Sequence, residues 1–148
     1  MRLVIQRVSS ASVTVDNVVR GEIAAGLMVL VGFATTDTAA QLPWAADKLA
    51  NLRIFEDAQE KMNLSVLDTK GSILLVPNFT LAGNAQQGRR PSFDTAMRPE
   101  QAEPMFQSLA KMLTERNVPT QTGVFRAHMQ VALVNNGPIT LVIDVPPS

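Results

Sequence analysis

Five consecutive apolar residues, Leu27-Met28-Val29-Leu30-Val31, constrain the fold more than any other stretch of the chain. They are β-rich and do not alternate with polar residues, the pattern of a strand covered on both faces. A chain that carries such a strand must supply a packed layer on each side of it. At 148 residues, 46% of them hydrophobic and 18% charged, it has the material for one core and excludes intrinsic disorder and a coiled coil. Residues 1–148 are therefore expected to form a single domain.

Around the central strand the first third reads as a β-meander. Residues 3–8, 12–15 and 18–24 are Val- and Ile-rich, and Asp16-Asn17 punctuate the last two. The period then changes. Leu42, Ala45, Ala46, Leu49 and Leu52 fall at helical spacing, with Asp37 and Thr38 before them as caps, which predicts a helix over 39–52 whose start Pro43 restricts. A second helix is predicted over 99–116, with Pro99 at its first position and Ala102, Met105, Phe106, Leu109, Met112 and Leu113 along one face. Pro104 implies a late start or a kink, and Asn117-Val118-Pro119 ends the helix. Residues 72–81 read as an apolar strand, and 82–93 as a mobile surface loop. Residues 129–134 and 139–145 read as two strands that form a hairpin around Asn135-Asn136-Gly137-Pro138. The order β-β-β-β-α-β-β-α-β-β, with short connections between strands, predicts an α+β fold: a mainly antiparallel, barrel-like sheet with two helices.

Several function classes are excluded before any motif is read. The chain has no Cys and one His, so thiolate chemistry, disulfides and multi-His metal sites are out, and neither cofactor nor metal is expected. Thirteen basic and thirteen acidic residues cancel, so contact with a polyanion has to come from a local patch. At the N-terminus, charges flank the three apolar residues Leu3-Val4-Ile5, too few for a signal-peptide core. Residues 26–34, the longest apolar stretch, fall well short of the roughly 20 needed to span a bilayer. Cytoplasmic localisation without membrane contact is expected.

Four features could carry chemistry. In Leu74-Leu75-Val76-Pro77-Asn78-Phe79-Thr80-Leu81, the strand period puts Asn78 and Thr80 on one face and Phe79 and Leu81 on the other, which fits either a strand end or a site rim. Gly137-Pro138 combines a missing side chain with a missing N–H, so it can offer bare carbonyl oxygens to a ligand, although most such pairs are only turns. Arg89 and Arg90, with Arg98 nearby, could hold phosphates or simply be solvated. His128 falls opposite Met129 and Val131 and reads as a surface histidine, and no G-x-S-x-G motif supports a serine hydrolase built on it.

These residues resemble a known family. Ile5-Gln6-Arg7-Val8, Ala11-Ser12-Val13, Gly21-Glu22-Ile23, Lys61-Met62-Asn63, Asn78-Phe79-Thr80-Leu81, Arg90-Pro91-Ser92-Phe93, Gln121-Thr122-Gly123-Val124-Phe125 and Asn135-Asn136-Gly137-Pro138-Ile139-Thr140 are similar, in order and spacing, to the D-aminoacyl-tRNA deacylases. The resemblance runs nearly end to end. It implies hydrolysis of the ester between a D-amino acid and the 3′ end of tRNA by a homodimer. It further implies that Gly137-Pro138, joined by a cis peptide, enters the partner's site, meets the substrate α-amino group and leaves no room for an L side chain, while glycine leaks through. Phe79 and Thr80 match the family's catalytic motif, whose Ser-Gln stands here as Pro77-Asn78. Asn78 corresponds to a substrate-binding amide, Met129 to a pocket-lining position and Arg7 to the residue that orients Gly-Pro. Two alternatives stay open at this point: a nucleic-acid-binding relative without catalysis, and a deacylase with changed substrate choice. Because the donor set for a metal is so poor, EDTA is expected to leave the hydrolysis rate unchanged, and strong inhibition in a deacylation assay would overturn that expectation.

Overall fold

The computed structural model describes residues 1–146. Its elements are β1 (Arg2–Val15), β2 (Val18–Ile23), β3 (Gly26–Gly32), α1 (Leu42–Asn51), β4 (Phe55–Glu56), β5 (Met62–Leu64), β6 (Ser72–Pro77), α2 (Pro99–Glu115), β7 (Thr120–Thr122) and β8 (Gln130–Asp144). The large sheet runs β2-β1-β3-β6-β7, with β8 on the other edge of β1. Strands β4 and β5 form a separate small ribbon.

Strand β1 organises the sheet. One of its edges is shared, with residues 2–8 on β3 and residues 11–15 on β2, and its other edge pairs along nearly its whole length with β8. The segments expected at 3–8 and 12–15 are therefore one strand, because the exposed Ser9 and Ser10 between them stay extended and Ser10 keeps its pairing with Val134. For the same reason the expected hairpin at 129–145 does not form. Both halves pair antiparallel with β1, not with each other, and residues 136–139 bulge out opposite Arg7. A hairpin would have left the outer edge of β1 without hydrogen-bond partners.

The fold is α+β with two helices and a nearly closed, barrel-like sheet, but the sheet is mixed rather than mainly antiparallel. Strand β3 runs parallel to β6, and β6 parallel to β7. The cause lies in the connections: α1 intervenes between β3 and β6 and α2 between β6 and β7, long crossovers that return the chain in the same direction. Close approach of β3 and β6 requires Gly26, where an added Cβ would lie 1.8 Å from the Ser72 carbonyl oxygen.

The apolar run of β3 is covered on both faces, as its pattern demands. Leu27, Val29 and Val31 join Ile73, Leu75 and the buried faces of α1 and α2 in one cluster, while Met28, Leu74 and Val76 join Val8, Val13 and Ile23 in a second. Helix α1 is preceded by a 3-10 turn, Ala39–Gln41, which places Pro43 in the first turn of the α-helix, where its missing N–H is harmless. Thr38 caps this turn as expected, in a capping box with Gln41, whereas Asp37 serves the N-terminus. Asp37, whose side chain is buried, pairs with the Met1 ammonium at 2.5 Å and accepts from Gln41 Nε2 at 3.0 Å, while Gln41 Oε1 accepts from the Thr38 N–H at 2.8 Å. Helix α2 starts at Pro99 rather than late, carries Pro104 inside it, and ends where Asn117 takes a left-handed φ of 66° and the Val118 N–H bonds the Leu113 carbonyl. Among the described residues no helix is long and apolar enough to cross a membrane.

Leu75, fully buried between β3 and the helices, should be a sensitive reporter of this packing. Leu75→Ala is expected to lower stability by about 2–5 kcal/mol in urea denaturation, the range for an aliphatic cavity.

Candidate functional site

Strand β6 does not continue to residue 81. Pro77 closes it, and a 3-10 turn over Phe79–Ala82 follows with Asn78 as its N-cap. Pro77 has no N–H to give to a ladder, which suits a strand end. The alternating arrangement expected for Asn78 through Leu81 is thereby replaced by a tight turn. Asn78 Oδ1 accepts the Thr80 N–H at 3.2 Å and also the Thr80 hydroxyl, and the Asn78 N–H bonds the Val31 carbonyl at 2.8 Å. The turn is thus tied to the end of β3.

Beside it lies a cleft of about 910 Å3. Its floor is apolar, with Val31, Phe33, Val76, Met97 and Met129, and its polar groups include Asn78, Thr80, Asp94, Arg98, Arg126 and His128. The carboxyl ends of parallel β3 and β6 lead into it, the usual place for a site in such sheets. At the mouth Phe79, 59% exposed, meets Phe93 edge to face with centroids 5.4 Å apart. The Phe79 N–H has no partner among the described residues, whereas the N–H of Thr80 is already taken by Asn78. Arg126 binds Glu100 at 2.5 Å, and the backbone N–H of Glu100 together with Arg126 holds that carboxyl below its ordinary range.

Asn78, Phe79, Thr80 and Met129 therefore come together, and Arg7, Gly137 and Pro138 do not join them. The latter three form a second constellation at the bulge of β8. The guanidinium of Arg7, almost wholly buried, donates from Nε to the Asn136 carbonyl at 2.9 Å and from Nη1 to the Ile54 carbonyl at 2.7 Å. From the other side Asn135 Nδ2 donates to the Arg7 carbonyl at 3.0 Å and the Ile139 carbonyl at 3.1 Å. The Gly137-Pro138 peptide is cis, and both residues are exposed.

Sequence reasoning placed His128 opposite Met129, yet both line the cleft, because β8 begins only at Gln130 and strand alternation does not reach them. It also did not assign Phe93, Arg98 or Arg126 to the site. Phe93 carried a signal in Arg90-Pro91-Ser92-Phe93, but Arg126 carried none, since the chain between β7 and β8 brings it to the rim.

A small α+β hydrolase is the class this mixed barrel and cleft define once its relatives are considered. The family profile described as D-Tyr-tRNA(Tyr) deacylase matches residues 4–144. The chain is 49% identical over 147 residues to the D-aminoacyl-tRNA deacylase of Geobacter sp. (strain M21), covering 99% of each chain. It is 54% identical over 144 residues to that of Desulfitobacterium hafniense (strain DSM 10664 / DCB-2), covering 97% of each. Among solved structures, the c-Myc DNA Unwinding Element Binding Protein superposes with a TM-score of 0.93 at 39% identity over 99% of both chains. A probable eukaryotic D-amino acid tRNA deacylase shares the fold, with a TM-score of 0.83 at 18% identity over 97% of this chain and 98% of that one. The chain belongs to the D-aminoacyl-tRNA deacylase family and is a hydrolase acting on ester bonds.

Removing the Arg7 head group leaves the buried Ile54 carbonyl and the more exposed Asn136 carbonyl without this donor. Arg7→Met is expected to cost about 2–3 kcal/mol in urea denaturation, the scale of a hydrogen bond to a charged group.

Proposed function

We propose that this chain cleaves the ester between a D-amino acid and the 3′ end of tRNA, accepts glycyl-tRNA, and rejects the L form against the backbone of Gly137-Pro138. The observation that carries the proposal is the separation of two constellations: a cleft that is apolar below and polar at its rim, and a Gly-Pro unit clamped by Arg7 and Asn135 yet exposed away from its own cleft. A rigid group held so firmly outside its own site is suited to entering the site of a second copy. There its carbonyl oxygens accept from the substrate α-amino group, and the missing glycine side chain permits close approach. Steric exclusion against backbone discriminates strongly, whereas a pocket that only adds contacts does not. Glycine, with no side chain to exclude, passes.

The surface of β8 supports a homodimer. Val131, Val134, Leu141 and Val142 are 36–60% exposed along it, and its outer edge pairs with no strand among the described residues. An apolar strand edge of this length favours self-association, and a two-fold interface would present each Gly137-Pro138 to the other subunit. We further infer that residues 1–148 work as one domain, in the cytoplasm, without metal or cofactor.

For the chemistry, the free N–H of Phe79 supports a role as oxyanion donor at the mouth of the cleft. Thr80 is a poor nucleophile here, because its hydroxyl proton goes to the Asn78 amide oxygen, which is no base. Its remaining lone pairs can instead position a donor. Water, assisted by the 2′-hydroxyl of the terminal adenosine, attacks the ester carbon. The bond to the 3′ oxygen breaks, that oxygen takes a proton, and free amino acid and tRNA leave. Asn78 orients Thr80, Met129 lines the pocket, and Arg7 orients Gly137-Pro138.

Deacylation of D-tyrosyl-, L-tyrosyl- and glycyl-tRNA in parallel tests this reading. Hydrolysis of the D and glycyl forms with the L form spared is expected, and equal rates for D and L would refute the filter. Pro138→Ala should reduce the D-over-L ratio by at least about tenfold. Thr80→Ala is expected to keep activity within about tenfold, and a loss on the order of 1,000-fold in a folded protein would restore Thr80 as nucleophile.

A further inference from the structure

The adjacent arginines Arg89 and Arg90 take no part in the cleft. They belong to a loop, residues 84–92, whose ends are clipped together. The Asn84 N–H donates to the Ser92 carbonyl at 2.7 Å, and the Ser92 N–H to the Asn84 carbonyl at 2.8 Å. The base of the loop sits on the cleft rim, since the chain enters it from the Phe79–Ala82 turn and leaves it into Phe93, which packs on Phe79. Asn84 Oδ1 accepts the Gln86 N–H at 2.9 Å, Gly88 takes a φ of +67° with open space around it, and Pro91 restricts the backbone after Arg90. The backbone on both sides of the pair is thus constrained while both side chains are exposed.

The charges are not neutralised locally. No acidic residue lies within 82–93, and among the described residues neither Arg89, Arg90 nor Arg98 has a carboxylate within 4.0 Å. Arg98, Arg126 and His128 add positive or protonatable groups on the rim, against Asp94 and against Glu100, which is bound to Arg126. In a chain whose charges cancel overall, this is a local cationic ridge leading away from the cleft mouth.

We propose that loop 84–92 is a phosphate-docking finger, with Arg89 and Arg90 binding the RNA backbone next to the 3′ ester. The proposal rests on the function inferred above. A polyanion whose terminal ester occupies the cleft must carry its last phosphates out past the rim, and this loop rises from that rim with two unpaired guanidinium forks. Their planar donors match phosphate oxygens. Each contact releases counterions, so the loop should account for a measurable part of the salt dependence of binding.

The test is the affinity of uncharged tRNA, titrated with salt, for the wild type, R89A/R90A and R89K/R90K. In parallel, kcat and KM are measured on D-tyrosyl-tRNA and on a D-tyrosyl ester of adenosine that lacks phosphate. The double alanine variant is expected to bind tRNA about tenfold more weakly at low salt, with a log–log slope shallower by roughly 1.4 for two phosphate contacts to single strand. Its KM for D-tyrosyl-tRNA should rise with kcat kept, the adenosine ester should be hydrolysed as before, and the lysine pair should restore most of the affinity. Unchanged affinity and slope would overturn the proposal. So would an equal loss on the adenosine ester, which would assign the loop to shaping the cleft through Phe93. A wild type that hydrolyses neither substrate but binds tRNA through these arginines would refute the hydrolytic reading and leave the docking finger standing.

Discussion

The structure depends on the pairing of β1 with β8. Because β1 is 14 residues long, one edge accommodates β3 and β2 in succession while the other takes both arms of β8. That single strand fixes the register of β3 and hence, through the parallel β3–β6 pair, the height at which Pro77 ends β6. It also leaves one place where the β1–β8 ladder cannot close. There Arg7 faces residues 136–139, and its guanidinium donates one hydrogen bond to the Asn136 carbonyl across the gap in the ladder. A buried charge of this kind is tolerable because carbonyl oxygens of Asn136 and Ile54 meet it at 2.9 and 2.7 Å.

The two constellations follow from two interruptions of β structure. At Pro77 the loss of an N–H ends a strand and starts a capped turn, which exposes one backbone donor and one aromatic ring at a cleft mouth. At Gly137-Pro138 a second interruption pushes backbone outward on a strand whose apolar surface is uncovered. Both devices use backbone atoms rather than titratable side chains. That suits the mirror-image filter proposed above, since a rigid backbone surface excludes a misplaced substituent where a flexible side chain would yield to it.

The shorter amide at position 78 is part of the same local logic. Asn caps a turn well because its oxygen reaches the N–H two residues on, and here that oxygen takes both the N–H and the hydroxyl of Thr80. The consequence is a division of labour in which Thr80 is held and Phe79 is left free. Electrostatics contributes on a larger scale through position, not through net charge. With acids and bases in balance, Arg98 and Arg126 matter because they line the same cleft.

What the sequence determined by itself was composition-level and periodic: the doubly covered strand at 27–31, the helices expected over 39–52 and 99–116 and found at 42–51 and 99–115, and the motifs that mark the family. Local hydrophobic period and turn chemistry act over a few residues, so they are legible without a fold. The tertiary structure decided what long-range pairing controls. It joined 3–8 to 12–15, it turned a supposed hairpin into one bulged strand, and it made the sheet mixed, because those outcomes depend on which edge each strand finds. It also brought Arg126 and His128 into the same cleft as Asn78 and Thr80. No spacing in the chain encodes that proximity. It exists only because β6 and the segment before β8 end at the same rim.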